Sequence, residues 1–237
     1  MRVYVIYLLL LISLSSFSQK GTGYFGISMG TNIPVGEFGK ARLANESGFA
    51  TSGFLMDFSG TYFFNYYLGG TAVFAFGMNG IQDEALQEKL TLDLPPSVPP
   101  SADITFQLGN WSDVSILTGP VLTLPLGKIN LDAKALAGVS FVHPPKTEVS
   151  AVYPTGSFNT SRNKQDVVFG ILTGLAIRYH LNDAYSLKFG MDYYYSSPEI
   201  SVDSYEILET AKTDFDPEVY KLDMHLLKIN MGLLYRF

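Results

Sequence analysis

From about residue 23 to its end the chain repeats one pattern: apolar side chains at every second position, with glycine, hydroxyl, amide or charged groups between them. A period of two puts successive side chains on opposite faces of an extended strand. The last stretch is the clearest. From Leu227 the odd positions are Leu227, Ile229, Met231, Leu233, Tyr235 and Phe237; the even ones are Lys228, Asn230, Gly232, Leu234 and Arg236. One face is apolar without a break and ends in aromatics.

Seven earlier segments match it. Strands are predicted at about 23–33, 50–64, 66–78, 111–126, 129–142, 166–179 and 184–196, with 221–237 as the eighth. Pro34-Val35-Gly36 is expected to end the first strand, and Pro120 to force a bulge or kink in the fourth, because proline cannot donate to a ladder. Turns at Asn65, Gly127-Lys128 and Asn182-Asp183 are short, whereas 35–48, 79–110, 143–164 and 197–220 read as long loops. Within the second loop a short helix is predicted over 83–92, followed by Pro95-Pro96-Ser97-Val98-Pro99-Pro100, which suits neither helix nor central strand. That proline run either presents an extended recognition segment or stiffens the loop. The last loop is acidic, with Glu199, Asp203, Glu206, Glu209, Asp214, Asp216 and Glu218.

An even number of strands, with short turns at one rim and long loops at the other, predicts an all-β fold: an eight-stranded antiparallel up-and-down transmembrane β-barrel. Both chain ends then lie on the short-turn, periplasmic side. The medium outside follows from the charges. One face of each strand is nearly all apolar, while Asp57, Asp132, Lys134, Arg178, Lys188, Asp192, Lys228 and Arg236 occupy the other. A lysine or arginine facing mid-bilayer costs about 2–4 kcal/mol, so these charges are expected inside, as a structural network. Eight strands leave room for little beyond side chains, which favours a paired plug over a conduit. Asp192 and Lys228 are expected to be partners. Tyr66, Tyr179, Tyr185, Tyr235 and Phe237 at one end, and Tyr193 and Tyr195 at the other, would form aromatic girdles.

The N-terminus adds an address. Arg2, an apolar run over 3–14 and Ser16-Phe17-Ser18 read as an export signal cleaved after about Ser18; the run is short for a spanning helix, an N-terminal anchor being the alternative. Residues 1–18 are thus a signal peptide and 19–237 the outer-membrane barrel. Charged residues make up 16% of the chain, below the usual share of about 25%, and aromatics reach 14%, as befits contact with an apolar medium. A net charge of −6 leaves no basic footprint for nucleic acid. The absence of cysteine excludes disulfides, thiolate metal sites, a cysteine nucleophile and a lipidated cysteine.

Candidate chemistry is sparse. His143, His180 and His225 are the histidines, and a hydrolase at the upper rim would draw on Ser140, His143 or His225 and a loop acid. Neither a G-x-S-x-G elbow nor an H-E-x-x-H pair accompanies them. Asp214, Asp216 and Glu218 alternate as calcium ligands do, without the twelve-residue loop and central glycine. No catalytic, cofactor-binding or metal-binding residue is assigned.

The export signal, the stretch Asn32-Ile33-Pro34-Val35-Gly36-Glu37-Phe38-Gly39 and the final Leu233-Leu234-Tyr235-Arg236-Phe237 resemble the small eight-stranded outer-membrane barrels of the OmpA-barrel and OmpX type, often labelled porin-like. The resemblance spans the whole mature chain and rests on architectural motifs. It implies residence in the bacterial outer membrane, contact with its lipid, and a role for Tyr235 and Phe237 as the signal read by the barrel-insertion machinery. Adhesins, lipid-modifying enzymes and secretion components share the class, so fold alone leaves function open. The expectation is a non-enzymatic envelope protein whose long loops meet an extracellular or envelope partner; a lipid-acting enzyme with a rim site and a narrow channel are the alternatives. With no domain after the eighth strand, a peptidoglycan-binding role is not expected.

Overall fold

A computed structural model describes residues 21–41, 47–162, 164–208 and 211–237. The expected export signal lies outside them. Eight long strands form the barrel wall: β1 (Thr22–Val35), β2 (Ala50–Phe63), β3 (Leu68–Ile81), β5 (Trp111–Leu126), β6 (Ile129–His143), β9 (Asp166–His180), β10 (Tyr185–Ser196) and β14 (Met224–Arg236). They close in the order β1-β14-β10-β9-β6-β5-β3-β2, each pair antiparallel. The seam joins the first strand to the last, with Phe25 opposite Tyr235.

Two prolines behave differently from expectation. β1 runs on through Pro34, opposite Leu226, and ends at Val35, where a short 3-10 turn (Gly36–Gly39) begins. At Pro120 there is no inserted residue: Thr118↔Ala137 and Val121↔Lys134 keep one offset, and Pro120 stays opposite Gly70 on the other side. Only the two β6-side pairings at Gly119 and Pro120 are skipped, and a Cβ at Gly119 would sit 2.2 Å from the Ala135 carbonyl oxygen. Close backbone approach at a glycine absorbs the missing donor, and no bulge is needed.

Two of the segments read as loops, 143–164 and 197–220, are largely strands, and 79–110 ends in one. β4 (Asp103–Leu108), β7 (Thr147–Tyr153), β8 (Gly156–Arg162), β11 (Glu199–Leu208), β12 (Ala211–Asp214) and β13 (Glu218–Lys221) form a second sheet above the barrel. They are short, four to ten residues each, and only β4 and β7 keep a regular alternation, too brief to stand out beside the barrel strands. This sheet prolongs the wall. Ser112↔His143 in the barrel and Asp103↔Val152 above it share one offset, bridged by a bond from Gly109 N to Lys146 O at 2.7 Å. Asp192↔Lys228 and Glu199↔Lys221 likewise share theirs. On the other side β1 stops at the 3-10 turn and β3 gives way to the expected helix, α1 (Asp83–Leu92). One side of the barrel therefore stands taller than the other.

Apolar packing fills the barrel's upper end. Phe38, Leu55, Trp111, Leu117, Leu136, Leu172, Tyr194 and Leu226 belong to one buried cluster. Trp111 packs edge-on against Phe38 at 5.1 Å and donates from Nε1 to the Gly48 carbonyl at 2.9 Å. A smaller cluster of Tyr24, Phe63, Val121 and Leu234 lies at the lower end. A third, Ala151, Tyr153 and Phe158 with Leu94, Val98, Ala102 and Ile104, lies under the upper sheet.

Candidate functional site

The outward faces of the wall strands bear Phe25, Ile116, Phe169, Leu175, Phe189 and Met231, all exposed, Leu175 and Met231 to 62% each. The charges lie on the inward face: Arg178 is 2% exposed and Lys228 1%. Water outside would invert this arrangement, since apolar groups leave water and charges seek it. It is a membrane barrel of the outer-membrane type. Its even strand number and closed seam, with a polar lumen, are the form that the bacterial outer membrane holds.

Girdles complete the barrel's outer surface. Tyr66, Tyr179, Tyr185, Tyr235 and Phe237 are exposed near the short turns, with Tyr185 and Tyr235 at 5.6 Å. Near the upper rim Tyr193 hydroxyl and His225 Nδ1 are 2.7 Å apart, and Tyr195 lies 4.9 Å from the same imidazole and donates to Asp223 at 3.1 Å. His225 thus belongs to the interface belt.

Inside, seven of the expected charges are gathered into ion pairs, joined by Asp113. Arg178 Nη2 donates to Asp132 at 3.0 Å and Thr123 at 3.2 Å, its guanidinium lying against both the Tyr24 ring (4.3 Å) and the Phe63 ring (4.9 Å). Lys134 meets Asp192 at 3.0 Å, and Asn230 donates to the same carboxylate at 3.0 Å. Lys188 lies 3.9 Å from Asp57 and donates to Ser28 at 3.3 Å. Lys228 lies 3.6 Å from Asp113 and 4.2 Å from the Tyr194 ring centre. Glycines make room: a Cβ at Gly174 would fall 1.8 Å from Asp192 Oδ1, and one at Gly77 2.2 Å from Asp113 Oδ1.

Two expectations are corrected here. Asp192 and Lys228 are opposite in register, but each finds its ion partner elsewhere, in Lys134 and Asp113. Arg236 is not in the network: it is exposed at the lower mouth, where an open vestibule of about 660 Å³ is lined by Arg178, His180, Asn130 and Tyr24 as well. Asp113 escaped the sequence reading although it alternates with Val114 and Ile116 of the apolar face, the signal that would have found it. Above the vestibule a pocket of about 50 Å³ lies among Asp132, Lys134, Arg178 and Lys188.

The imagined hydrolase does not assemble. Ser140 is buried, accepting from Tyr194 at 2.6 Å and donating to Ser115 at 2.9 Å. His143 ends β6 at the upper rim, while His180 is at the lower mouth, 2.8 Å from Ser186. Asp214 pairs with Lys212 at 2.7 Å, and among the described residues no group of three acidic or histidine ligands could hold a metal. The proline run folds as two successive turns, with Val98 N donating to Pro95 O and Ala102 N to Pro99 O, and Val98 packs under the sheet. It is therefore not an extended segment.

No family model matches the chain, and no curated protein does. Among solved structures the barrel is similar to Ail, the attachment invasion locus protein of Yersinia pestis (14% identity, TM-score 0.46), and to Neisserial surface protein A (11%, 0.42). It is also similar to a major outer membrane protein of Thermus thermophilus (12%, 0.47). Each pairing covers 92% of this chain and 100% of the other. Likeness at this level transfers no residue's role.

Proposed function

We propose that the barrel is a non-enzymatic outer-membrane protein whose raised sheet contacts partners outside, while its lumen charges brace the wall. The observation that carries this reading is the contrast between a filled lumen and a sheet lifted clear of it. Leu55, Leu117, Leu136, Leu172, Tyr194 and Leu226 are each at most 3% exposed and occupy the upper lumen. A solute in the vestibule meets Arg178 first, then the other ion pairs, and that apolar packing beyond them. The lumen charges pair one to one, four cations with four carboxylates, as a plug requires and a selective conduit does not. In the same reading residues 1–18 are removed on export, and Tyr235, outward on the last strand, and Phe237, exposed just past its end, present the insertion signal to the barrel-insertion machinery.

Planar-bilayer recording of the purified barrel should show no steady unitary conductance; discrete channels at modest voltage would sink the reading. Removing residues 147–162 should leave the barrel folded and abolish its capture of envelope or surface partners. A changed lipid composition in a strain lacking the barrel, restored by the wild-type chain, would favour a lipid-acting enzyme instead.

A further inference from the structure

A cavity of about 120 Å³ lies between α1 and the raised sheet. α1 supplies Leu86 and Leu90 to its wall, β8 supplies Phe158 and β11 supplies Val202. A dry cavity of about 150 Å³ takes benzene, so this one has room for an apolar body of roughly five carbons.

Its polar lining is of two kinds. Some groups already have partners. Lys89 pairs with Asp93 at 3.4 Å. Ser204 donates to Thr160 at 2.9 Å, and Thr160 donates to the Asp203 carbonyl at 3.3 Å. Two other groups lack partners among the described residues. Ser47 is 5% exposed, and its Oγ makes no hydrogen bond. Arg162, the last residue of β8, is in no ion pair among the described residues, and its buried Nε has no acceptor. Its guanidinium is nevertheless held in place, 5.6 Å from the ring centre of Tyr220 on β13. A buried charged donor left unmet is costly, and a guanidinium fork fixed by an aromatic ring matches the two oxygens of a carboxylate.

The backbone at the cavity points the same way. Phe49, part of the lining, has a φ of +52°, the only positive value outside glycine among the described residues. Its N–H donates to the Lys40 carbonyl at 3.2 Å, and its own carbonyl accepts from Gln82 N, just before α1, at 2.8 Å. Strain of this kind persists where the surroundings over-determine it, and it gathers at ligand sites.

We propose that this cavity binds a small organic monocarboxylate, with the carboxylate on Arg162 and the apolar body between α1 and β8. The site goes beyond the reading of the raised sheet as a contact surface, since it lies beneath that sheet. A dianion such as phosphate is disfavoured, because Asp93 and Glu218 belong to the same lining. A cation is disfavoured by Arg162 and Lys89. Water would satisfy Ser47 but leave Leu86, Leu90, Phe158 and Val202 without apolar contact.

The experiment uses the full barrel in lipid nanodiscs, with its arginines labelled with nitrogen-15, and pentanoate as the probe. The Nε–H resonance of Arg162, identified by its loss in Arg162→Gln, should shift saturably. The resonances of Arg178, in the lumen, and Arg236, at the lower mouth, should stay in place. Affinity should rise at least tenfold from acetate to pentanoate and no further at octanoate, and methyl pentanoate, which lacks the charge, should cause no shift. Val202→Phe fills the apolar end, leaves Arg162 intact and should weaken pentanoate at least tenfold. The wild-type series stands without either variant. No shift at Arg162, or one shared by Arg236, overturns the proposal. So does equal affinity for acetate and pentanoate, or an affinity still climbing at octanoate, as partition into lipid would give.

Discussion

Below the upper rim, β10 turns Leu187, Phe189, Met191 and Tyr193 outward and Lys188, Asp192 and Tyr194 inward. Above it, the same wall buries Val149, Ala151 and Phe158 on the inner side and shows Glu148 outward. The apolar face changes sides at the rim. In β6 and β7 the switch is visible along the chain: Ser140, Val142 and Pro144 are buried at even positions, then Pro145, Thr147, Val149 and Ala151 at odd ones. Two adjacent prolines interrupt the ladder where the phase of this pair slips, at no cost to the offset of the strands; β10 and β11 exchange faces without a slip, Tyr194, Ser196, Pro198 and Ile200 all being buried at even positions. The difference teaches that the medium, not the fold, decides which face is apolar. In hydrocarbon the outer face must only avoid charge; in water the inner face must gather apolar area, worth about 25 cal/mol per Å² removed from solvent. The exchange of the apolar face marks where hydrocarbon ends.

The largest expected effect lies inside the lower region. Asp192→Ala leaves Lys134 buried without its carboxylate, a loss of about 3–5 kcal/mol, to be read from urea unfolding in lipid vesicles with Trp111, the single tryptophan, as reporter. Double-mutant cycles should give a larger coupling of Asp192 to Lys134 than to Lys228; the reverse order would restore the pairing that the strand register alone suggests. Next comes the wall itself. Leu175→Lys puts an ammonium into the outer belt and should cost about 2–4 kcal/mol in the same assay. No loss would mean that lipid does not touch this face.

The upper region should respond to alkali instead. Tyr153 donates to Glu206 at 2.7 Å, and that bond to a carboxylate raises the phenol's pKa above its ordinary value. The support is complete below about pH 10 and is lost as pH rises through the raised value. Amide protection in β7 and β11, taken relative to the base-catalysed intrinsic rate, should therefore fall at high pH while the barrel's does not, and Tyr153→Phe should remove the difference. The smallest effect closes the comparison. Ser150→Lys adds to the sheet's outer face the charge that Leu175→Lys adds to the belt, and should shift stability by no more than about 0.5 kcal/mol.

The barrel strands were legible because a charge facing lipid is forbidden, which leaves an apolar alternation ten or more residues long. The short helix at Asp83–Leu92 was legible from its lack of breakers before the proline run. The upper strands were not: in water a strand such as Gly156–Arg162 needs only Phe158 on its buried side, and the alternation in Asp103–Leu108 and Thr147–Tyr153 lasts only six and seven residues. In the lumen, parity told which charges point inward but not which of them meet. Lys134 reaches Asp192 from β6 although β9 stands between them, and Gly174 on β9 leaves the gap that lets the two side chains touch. Such contacts across a missing side chain have no trace in a strand's own pattern.

The clasp between Gly23 and Phe237, which exchange backbone bonds at 3.0 and 3.3 Å, sets the order of events in biogenesis. The wall cannot seal before its last strand is in place beside its first. Until then the chain travels with two unsatisfied margins, each prone to join a neighbour, and the closing contact spans nearly the whole polypeptide, the slowest kind to form. Closing the seam removes both margins in a single step, which makes the barrel's last contact also its protection against a neighbour.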